Sequence, residues 1–412
     1  MSQSTAVSLL VIAATAVAAP ALAELVARFR IPGVLFELLL GILIGPAVLG
    51  VAHVDGFVKG LSTLGLAFLF FVAGYEIDPQ RLRGVPFQRG AVGWAVTVVA
   101  GLAVAGVMVA VGFVLSDLLV GLALTTTAIG TLMPMLRDRG VLDTRFGDHL
   151  VAAGALGEFG PVLAVTLFLG TSSPRTEGLL LATFIVVALG VAWFARRPRP
   201  PAFLDTMTRH LDSSSQLPVR LVMLLVTAMV VMAVGLGLDM LIGAFAAGLI
   251  GRLLFPPGAS LQLRPRLESI GFGFLIPVFF IVSGMEFDLD ALLSSWTVWI
   301  RVPLFLGLFL LVRGAPALVV YRGVLPGRQR AALAILQSTA LPLLVVITEI
   351  GLGTGHMRPA NAAALVGAGM LSVLILPLAG FAVLGEPSAG ESRTATLGEL
   401  RPPDTGMNTE QV

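Results

Sequence analysis

Glu158 is the titratable residue with the least expected surroundings, because it lies about eleven residues into an apolar run over residues 147–169. A run of that length can cross a bilayer, so its middle lies near the midplane. A charged carboxylate there costs at least ~2.5 kcal/mol and by default has a functional role. Such a group can hold a proton or a desolvated monovalent cation, but not both. We therefore predict that Glu158 binds the two by turns; burial for packing specificity is the alternative.

Two other apolar runs are interrupted by small polar residues and proline. The run over 118–136 contains Thr125, Thr126, Thr127, Gly130 and Pro134, and the run over 330–352 contains Gln337, Ser338, Thr339 and Pro342. Proline removes a backbone donor and clashes with the preceding turn, while Ser and Thr hydroxyls can satisfy the freed groups. The paired interruptions predict two crossed, unwound helices around an ion site. Ordinary proline kinks are the alternative.

Other charged residues lie in or near apolar runs. Arg313 lies within residues 297–320 and does not deprotonate in proteins, so it can act as a counter-charge but not as a proton carrier. It lies either in the core or with its head group extended to the membrane edge, and we favour the core. Glu37 and Glu76 could belong to an ion funnel, although Glu37 could equally anchor a helix at the interface. Glu76 and Glu286 close their helices and look structural.

The elements that must position these residues are membrane-spanning helices. Hydrophobic residues make up 57% of the 412 and charged residues 12%, and mean hydropathy is +0.96, which places the chain in lipid. Thirteen spans are predicted, at approximately 6–27, 31–52, 58–75, 88–115, 118–136, 147–169, 177–195, 218–237, 239–255, 269–286, 297–320, 330–352 and 360–384. The tail 386–412 is rich in Pro, Glu, Ser, Thr and Gly and is predicted to be disordered.

Basic residues predict how the chain is oriented. Alternate connections hold nineteen arginines, whereas the others hold only Lys59, Arg175, Arg301 and Arg358. The positive-inside rule therefore predicts an external N-terminus and a cytoplasmic C-terminus in a bacterial inner membrane. The net charge of +2 is too small to suggest a nucleic-acid partner. The four histidines lie in or beside loops and there is no cysteine, so no cofactor or zinc site is predicted.

The two halves of the chain contain matching segments. FLFFVAGYEID at 68–78 matches VFFIVSGMEFD at 278–288 at an offset of 210, and LVAAGALG at 150–157 matches LVGAGMLS at 365–372. Paired spans run in opposite directions, so the pattern predicts two inverted repeats, as in secondary transporters. The predicted division is a first repeat at 1–176, a linking helix and loop at 177–216, and a second repeat at 217–385. Chance recurrence of Gly, Ala and Leu is the alternative.

Over most of residues 6–385 the sequence resembles the cation:proton antiporter-2 family, the Kef-type sodium or potassium/proton exchangers. The matching stretches are ELLLGILIGP at 37–46, LGLAFLFFVAGYEID at 64–78, TTTAIGTLMPMLRDRG at 125–140 and FFIVSGMEFD at 279–288. The resemblance implies that Glu158 is the ion-binding carboxylate, with Thr126 and Thr127 at the crossover and Arg313 at a basic position. It also implies a homodimer in which spans 4–6 and 11–13 move against spans 1–3 and 8–10.

The sequence departs from the family at the carboxylate. Members usually have Asp preceded by Asp, Asn or Gln, whereas this chain has Gly157-Glu158 followed by Pro161. A single acid together with Arg, rather than a titratable Lys, resembles the electroneutral members. The predicted function is therefore an electroneutral antiporter that exchanges sodium or potassium for protons, and not an enzyme. A sodium-coupled symporter of a small organic anion with a similar fold is the alternative.

Overall fold

The computed structural model describes residues 2–26, 32–77, 84–169, 174–197, 215–255 and 257–385, and these residues form helices and turns without any strand. The helices are α1 Gln3–Leu25, α2 Gly33–Ile44, α3 Gly56–Glu76, α4 Val85–Ala110, α5 Asp117–Leu124, α6 Ile129–Asp138, α7 Arg145–Leu169, α8 Pro174–Ala195 and α9 Leu217–Gly235. They continue with α10 Met240–Leu254, α11 Pro257–Ile270, α12 Ile276–Met285, α13 Leu289–Leu293, α14 Trp296–Leu308, α15 Ala315–Val320, α16 Gly327–Leu336, α17 Pro342–Gly353 and α18 Pro359–Leu384. The predicted tail 386–412 lies outside the described residues, as do Arg28, Arg30, Arg81, Arg83, Arg199 and Arg209.

The predicted membrane spans are confirmed. In the described part of the chain, nine helical stretches are long and apolar enough to cross a membrane, and α2, α10 and α17 are shorter apolar helices. Together with the 25-residue α7, these give thirteen spans. The protein is therefore an all-α polytopic membrane protein. The predicted division into repeats at 1–176 and 217–385 stays a prediction.

Three predicted boundaries or shapes were wrong. The second span ends at Ile44 rather than at 52, because Gly45 is extended and a turn follows that places Gly50 at a φ of 60°. The fourth ends at Ala110, before Gly112 at a φ of 71°. The tenth begins earlier than predicted, in α11, and passes through a π-helical turn at Gly271–Leu275. A second π-helical turn, Phe309–Gly314, joins α14 to α15.

The spans pack into two bundles. In the first bundle, helix α3 has its most extensive contacts with α10, and α2 has its most extensive contacts with α12. Helix α9 packs on α10. These five helices, together with α1 and α11, form the scaffold bundle. In the core bundle, α4 packs on α5 and α7, while α18 packs on α14, α16 and α17. The linking helix α8 contacts α7 of the core and α10 of the scaffold. Each bundle therefore combines helices from both halves of the chain.

Glycines allow the scaffold helices to approach at backbone distance. A Cβ on Gly248 of α10 would overlap the carbonyl oxygen of Phe71 in α3, and a Cβ on Gly74 would overlap that of Phe245. The other pair of helices repeats this arrangement, with Gly41 of α2 against Ile281 and Gly284 of α12 against Leu38. Gly74 and Gly284 are matched positions of the inverted repeat. The repeats therefore use one packing motif twice, and each repeat packs against the other.

Ion pairs mark the two ends of the spans. Glu76 at the end of α3 pairs with Arg137 of α6 and Arg264 of α11, each at 2.8 Å, and this end is called the arginine face. At the opposite face, Lys59 at the start of α3 pairs with Glu286 and Glu349, also at 2.8 Å. Each cluster joins the scaffold bundle to the core bundle. Arg137 lies in α6, which packs on α7 of the core, and Glu349 lies in α17 of the core.

Gly248→Ala should destabilise the protein, because the added methyl group overlaps backbone atoms of Phe71 and Tyr75 that cannot move without separating α3 from α10. Overpacking of this kind costs roughly 1–3 kcal/mol. The matched control is Gly106→Ala in α4, where a Cβ would have no neighbour within 4 Å. Thermal unfolding in detergent should show a lower midpoint only for Gly248→Ala. Equal midpoints for the two variants would contradict this packing.

Candidate ion-binding site

Two unwound stretches of backbone meet inside the core bundle. Residues 125–128 separate α5 from α6, and residues 337–341 separate α16 from α17. The amide of Ala128 in the first break donates to the carbonyl oxygen of Thr339 in the second, at 2.7 Å. The fold therefore has the crossed, broken helices that the paired interruptions predicted.

Each break is also bonded to the last helix of its own repeat. The amide of Thr127 donates to the carbonyl oxygen of Gly157 in α7 at 3.0 Å. In the second half, the amide of Ala340 donates to the hydroxyl of Ser372 in α18 at 3.0 Å. Gly157 and Ser372 are matched positions in the two repeats. The two halves therefore hold their breaks in the same way, with a carbonyl in one and a hydroxyl in the other.

Hydroxyl groups cap the half-helices that lead into the breaks. Thr125 and Thr126 donate to the carbonyl oxygens of Leu122 and Ala123, each at 2.8 Å, and Ser338 donates to Ala334, also at 2.8 Å. The carbonyls of Leu122 and Ala123 also accept from the backbone amides of Thr125 and Thr126, so each receives a hydroxyl and an amide at the end of α5. Thr339, by contrast, has a buried hydroxyl oxygen with no hydrogen-bond partner among the described residues.

The prolines play different parts in the two broken spans. Pro342 is the first residue of α17, where its missing N–H removes no helical hydrogen bond. Pro134 lies inside α6, six residues after the break, and does not mark where the first span unwinds. Gly130 is the second residue of α6, and a Cβ there would lie 3.9 Å from Glu158 Oε1.

Glu158 lies beside the first break, and 1% of its surface is exposed. The start of α6, at Ile129 and Gly130, lies close to its carboxylate. A helix N-terminus carries partial positive charge and favours an anion. The Oε2 atom is buried and has no hydrogen-bond partner in the described part of the chain. The carboxylate is therefore positioned by one end of a half-helix and keeps an oxygen free for a further ligand.

Arg313 lies in the core, where it is 1% exposed, and does not extend to the membrane edge. Its Nε donates to the hydroxyl of Thr127 at 2.8 Å, and its Nη2 donates to the carbonyl oxygen of Ala153 at 2.6 Å. The Thr127 hydroxyl donates to the backbone carbonyl oxygen of Gln337 at 2.6 Å. The side-chain amide of Gln337 donates to the backbone carbonyl oxygen of Arg313 at 2.5 Å. The guanidinium makes no ion pair with a carboxylate of the described residues. It holds the crossover together while Glu158 stays unpaired.

The two funnel candidates lie in helices of the scaffold bundle. Glu37 is in α2 and 9% exposed. Glu76 belongs to the arginine-face cluster, with 2% of its side chain exposed, and its repeat mate Glu286 pairs with Lys59 at the opposite face. Among the residues that the structure describes, no group of three or more His, Asp or Glu could hold a metal ion. The proposed cation site therefore depends on one carboxylate with neutral oxygens.

Sequence reasoning missed three features of the site. Gly157 makes room for Arg313, since a Cβ there would overlap its Nη2 atom and lie 2.6 Å from the Thr127 hydroxyl. Gln337 joins Arg313 to Thr127. Arg313 lies in the π-helical turn Phe309–Gly314, a distortion that often accompanies functional sites. Of these three features, only the role of Gly157 had a signal in the sequence, namely its departure from the usual family pattern.

Comparison with known proteins finds similarity along nearly the whole chain. Residues 12–385 match the family model described as sodium/hydrogen exchanger, transmembrane. The Na⁺/H⁺ antiporter NhaS4 of Synechocystis is 26% identical over 386 residues, which cover 85% of this chain and 92% of that protein. The Na⁺/H⁺-K⁺ antiporter GerN of Bacillus cereus is 26% identical over 283 residues, covering 65% and 69%.

Another relative, YjbQ of Bacillus subtilis, is 26% identical over 370 residues, which cover 85% of this chain but only 58% of that protein. Among solved structures, the sodium proton antiporter MjNhaP1 of Methanocaldococcus jannaschii has a TM-score of 0.62 at 17% identity, covering 92% of this chain and 98% of that one. This likeness establishes a shared fold. The match to the family model covers far more than half of the residues, so the chain belongs to the sodium/hydrogen exchanger family of transmembrane proteins.

Proposed function

We propose that this protein exchanges a monovalent cation, sodium or potassium, for protons by alternating access at Glu158. The observation that carries the proposal is the position of this carboxylate, which is buried at the crossing of two broken helices. One of its oxygens has no partner within the part of the chain that the structure describes. The relatives NhaS4 and GerN are named as antiporters of sodium, and GerN also of potassium. They give no support to the symporter alternative.

Competition at one carboxylate supplies the coupling. A bare cation that enters the site needs oxygen ligands to replace its water. Glu158 Oε2 and the hydroxyl oxygen of Thr339 both lack a hydrogen-bond partner in the described ranges, so both are available. Thr126 and Thr127 lie in the same break, although both hydroxyl protons are donated to carbonyls. A proton on Glu158 removes the charge that attracts the cation. Each ion therefore leaves before the other binds. Coupled exchange follows when the site changes sides only with a proton or a cation bound.

Arg313 supports electroneutral exchange. Its charge is fixed and buried, and its hydrogen bonds go to Thr127 and Ala153. With Glu158 ionised the site has no net charge, and with either a proton or a monovalent cation bound it carries one positive charge. The charge that moves is then the same in both directions, so one cation is exchanged for one proton.

The arrangement in the membrane is inferred from the same principles. The arginine face is assigned to the cytoplasm of a bacterium by the positive-inside rule, which leaves the N-terminus outside and the C-terminus inside. The core bundle, which holds the crossover, moves against the scaffold bundle to change the side from which Glu158 is reached. A homodimer is the assembly that the family resemblance implies.

Glu158→Gln should abolish exchange, because an amide cannot take up a proton or carry the charge that binds a cation. Glu158→Asp should retain exchange with altered cation affinity. Dequenching of a pH-sensitive dye in everted vesicles, with sodium, potassium or lithium added, measures both effects. The control is Asp290→Asn, an exposed carboxylate in α13. Cation-dependent proton movement by the Glu158→Gln variant would contradict the proposed mechanism.

Exchange should not respond to membrane voltage, since both loaded forms of the site carry the same charge. In proteoliposomes with a sodium gradient, the reversal condition should depend only on the sodium and proton gradients, with one ion exchanged for one. An imposed voltage that drives proton or sodium movement by itself would contradict this stoichiometry.

Gly157→Ala should impair exchange, because the added methyl group displaces the Arg313 guanidinium from Thr127. A misplacement of about 1 Å within a site can cost about 100-fold in rate, so we expect a loss of about 10- to 100-fold in vesicles. The matched control is Gly190→Ala in α8, where a Cβ would have no neighbour within 4 Å. Unchanged exchange by a folded Gly157→Ala protein would rule out a positioning role for this contact.

A further inference from the structure

Two apolar grooves lie between the core and scaffold bundles. The first, of about 700 Å³, opens among α4, α7, α8 and α10, and the second, of about 560 Å³, opens among α2, α14 and α18. Their linings correspond in the inverted repeat. Phe245 and Leu249 in the first match Leu35 and Leu39 in the second at an offset of 210, and Phe159 matches Leu374 at 215.

The linking helix α8 makes the two grooves different. This helix lies outside the repeats and closes the first groove with Phe184, Ala188 and Ala192. It also brings Arg196 to the rim, one residue after its last turn, where the side chain is exposed and makes no hydrogen bond or ion pair to the described residues. The second groove has no charged residue in its lining. A basic group therefore stands beside only one of two related apolar grooves.

We infer that the first groove holds an acyl chain of an anionic phospholipid, with its phosphate at Arg196. The neighbouring surface of α8 is made for lipid, since Leu179, Val186 and Leu189 are each more than 60% exposed. A guanidinium binds phosphate through paired hydrogen bonds, and basic residues at a membrane surface attract anionic lipid. The exposed Trp193 near the end of α8 is a side chain typical of the membrane interface.

The position of the groove gives such a lipid a means of affecting the site. Phe159, which lines the groove, follows Glu158 directly and stacks on Phe245 of the scaffold helix α10. An acyl chain in the first groove therefore contacts both bundles close to the Glu158 carboxylate. Relative movement of the bundles must change the shape of the groove and the fit of the lipid.

The test is a titration of the detergent-purified full chain with dioleoylphosphatidylglycerol or dioleoylphosphatidylcholine, followed by native mass spectrometry. The two lipids share their acyl chains and differ in headgroup charge. We expect tighter binding of the anionic lipid, and about fivefold weaker binding of it by Arg196→Gln. The matched control is Arg197→Gln, since Arg197 lies over the Trp193 ring and does not line the groove. Its affinity should be unchanged.

A second pair of variants tests the groove without changing any charge. Ala188→Trp fills the first groove and should remove the tight binding of phosphatidylglycerol, whereas Leu371→Trp, in the lining of the second groove, should leave it intact. The inference is overturned by equal affinity for the two lipids, by equal losses in Arg196→Gln and Arg197→Gln, or by tight binding in a folded Ala188→Trp protein. Should Ala188→Trp fail to fold, the arginine pair decides alone. Binding is measured without transport, so the outcome is independent of the proposed exchange.

Discussion

Unwound backbone inside a bilayer has no water to bond with, and this constraint governs the centre of the molecule. The amide of Ala128 is satisfied by Thr339 from the other break, while those of Thr127 and Ala340 are satisfied by Gly157 and Ser372. These bonds tie α7 and α18 to the crossover. Because breaking any of them would strand a polar group in an apolar interior, the core bundle is expected to move as a unit. Access to the site then depends on sliding between bundles.

The repeat builds two similar breaks but only one charged site. Position 158 is Glu where its mate 373 is Val, and position 313 is Arg where its mate 103 is Ala. The Arg313 guanidinium fills the space beside Gly157. The Asp, Asn or Gln that Kef-type exchangers usually have at this position would therefore not fit here. This gives a physical reason for the departure at Gly157. The glycine at position 157 and the buried Arg313 therefore depend on each other, because the guanidinium occupies the space that a side chain at 157 would need.

The spans, their alternation and the paired breaks could be predicted from sequence, because apolar length and interruption are local properties. The end of α2 at Ile44 was missed, since an apolar run continues through Gly45 while the backbone turns. Glu158 and Thr127 could be placed in one region by the broken-helix pattern. The bonds of Arg313 to Thr127 and Ala153 could not be predicted, because they depend on how three helices cross. Pro134, inside α6, shows that a proline alone does not locate a break.

The ion pairs at the two faces leave Glu76 and Lys59 of the scaffold with a partner when the bundles separate. Glu76 is shared between Arg137 of the core and Arg264 of the scaffold, and Lys59 is shared between Glu349 of the core and Glu286 of the scaffold. Arg137 and Glu349 are themselves related by an offset of 212 along the chain. Removing the only partner of a buried charge costs ~3–5 kcal/mol. Glu76, with 2% of its side chain exposed, keeps Arg264 when the core moves, so this cost is avoided at the arginine face. Lys59, with 38% of its side chain exposed, keeps Glu286 at the opposite face.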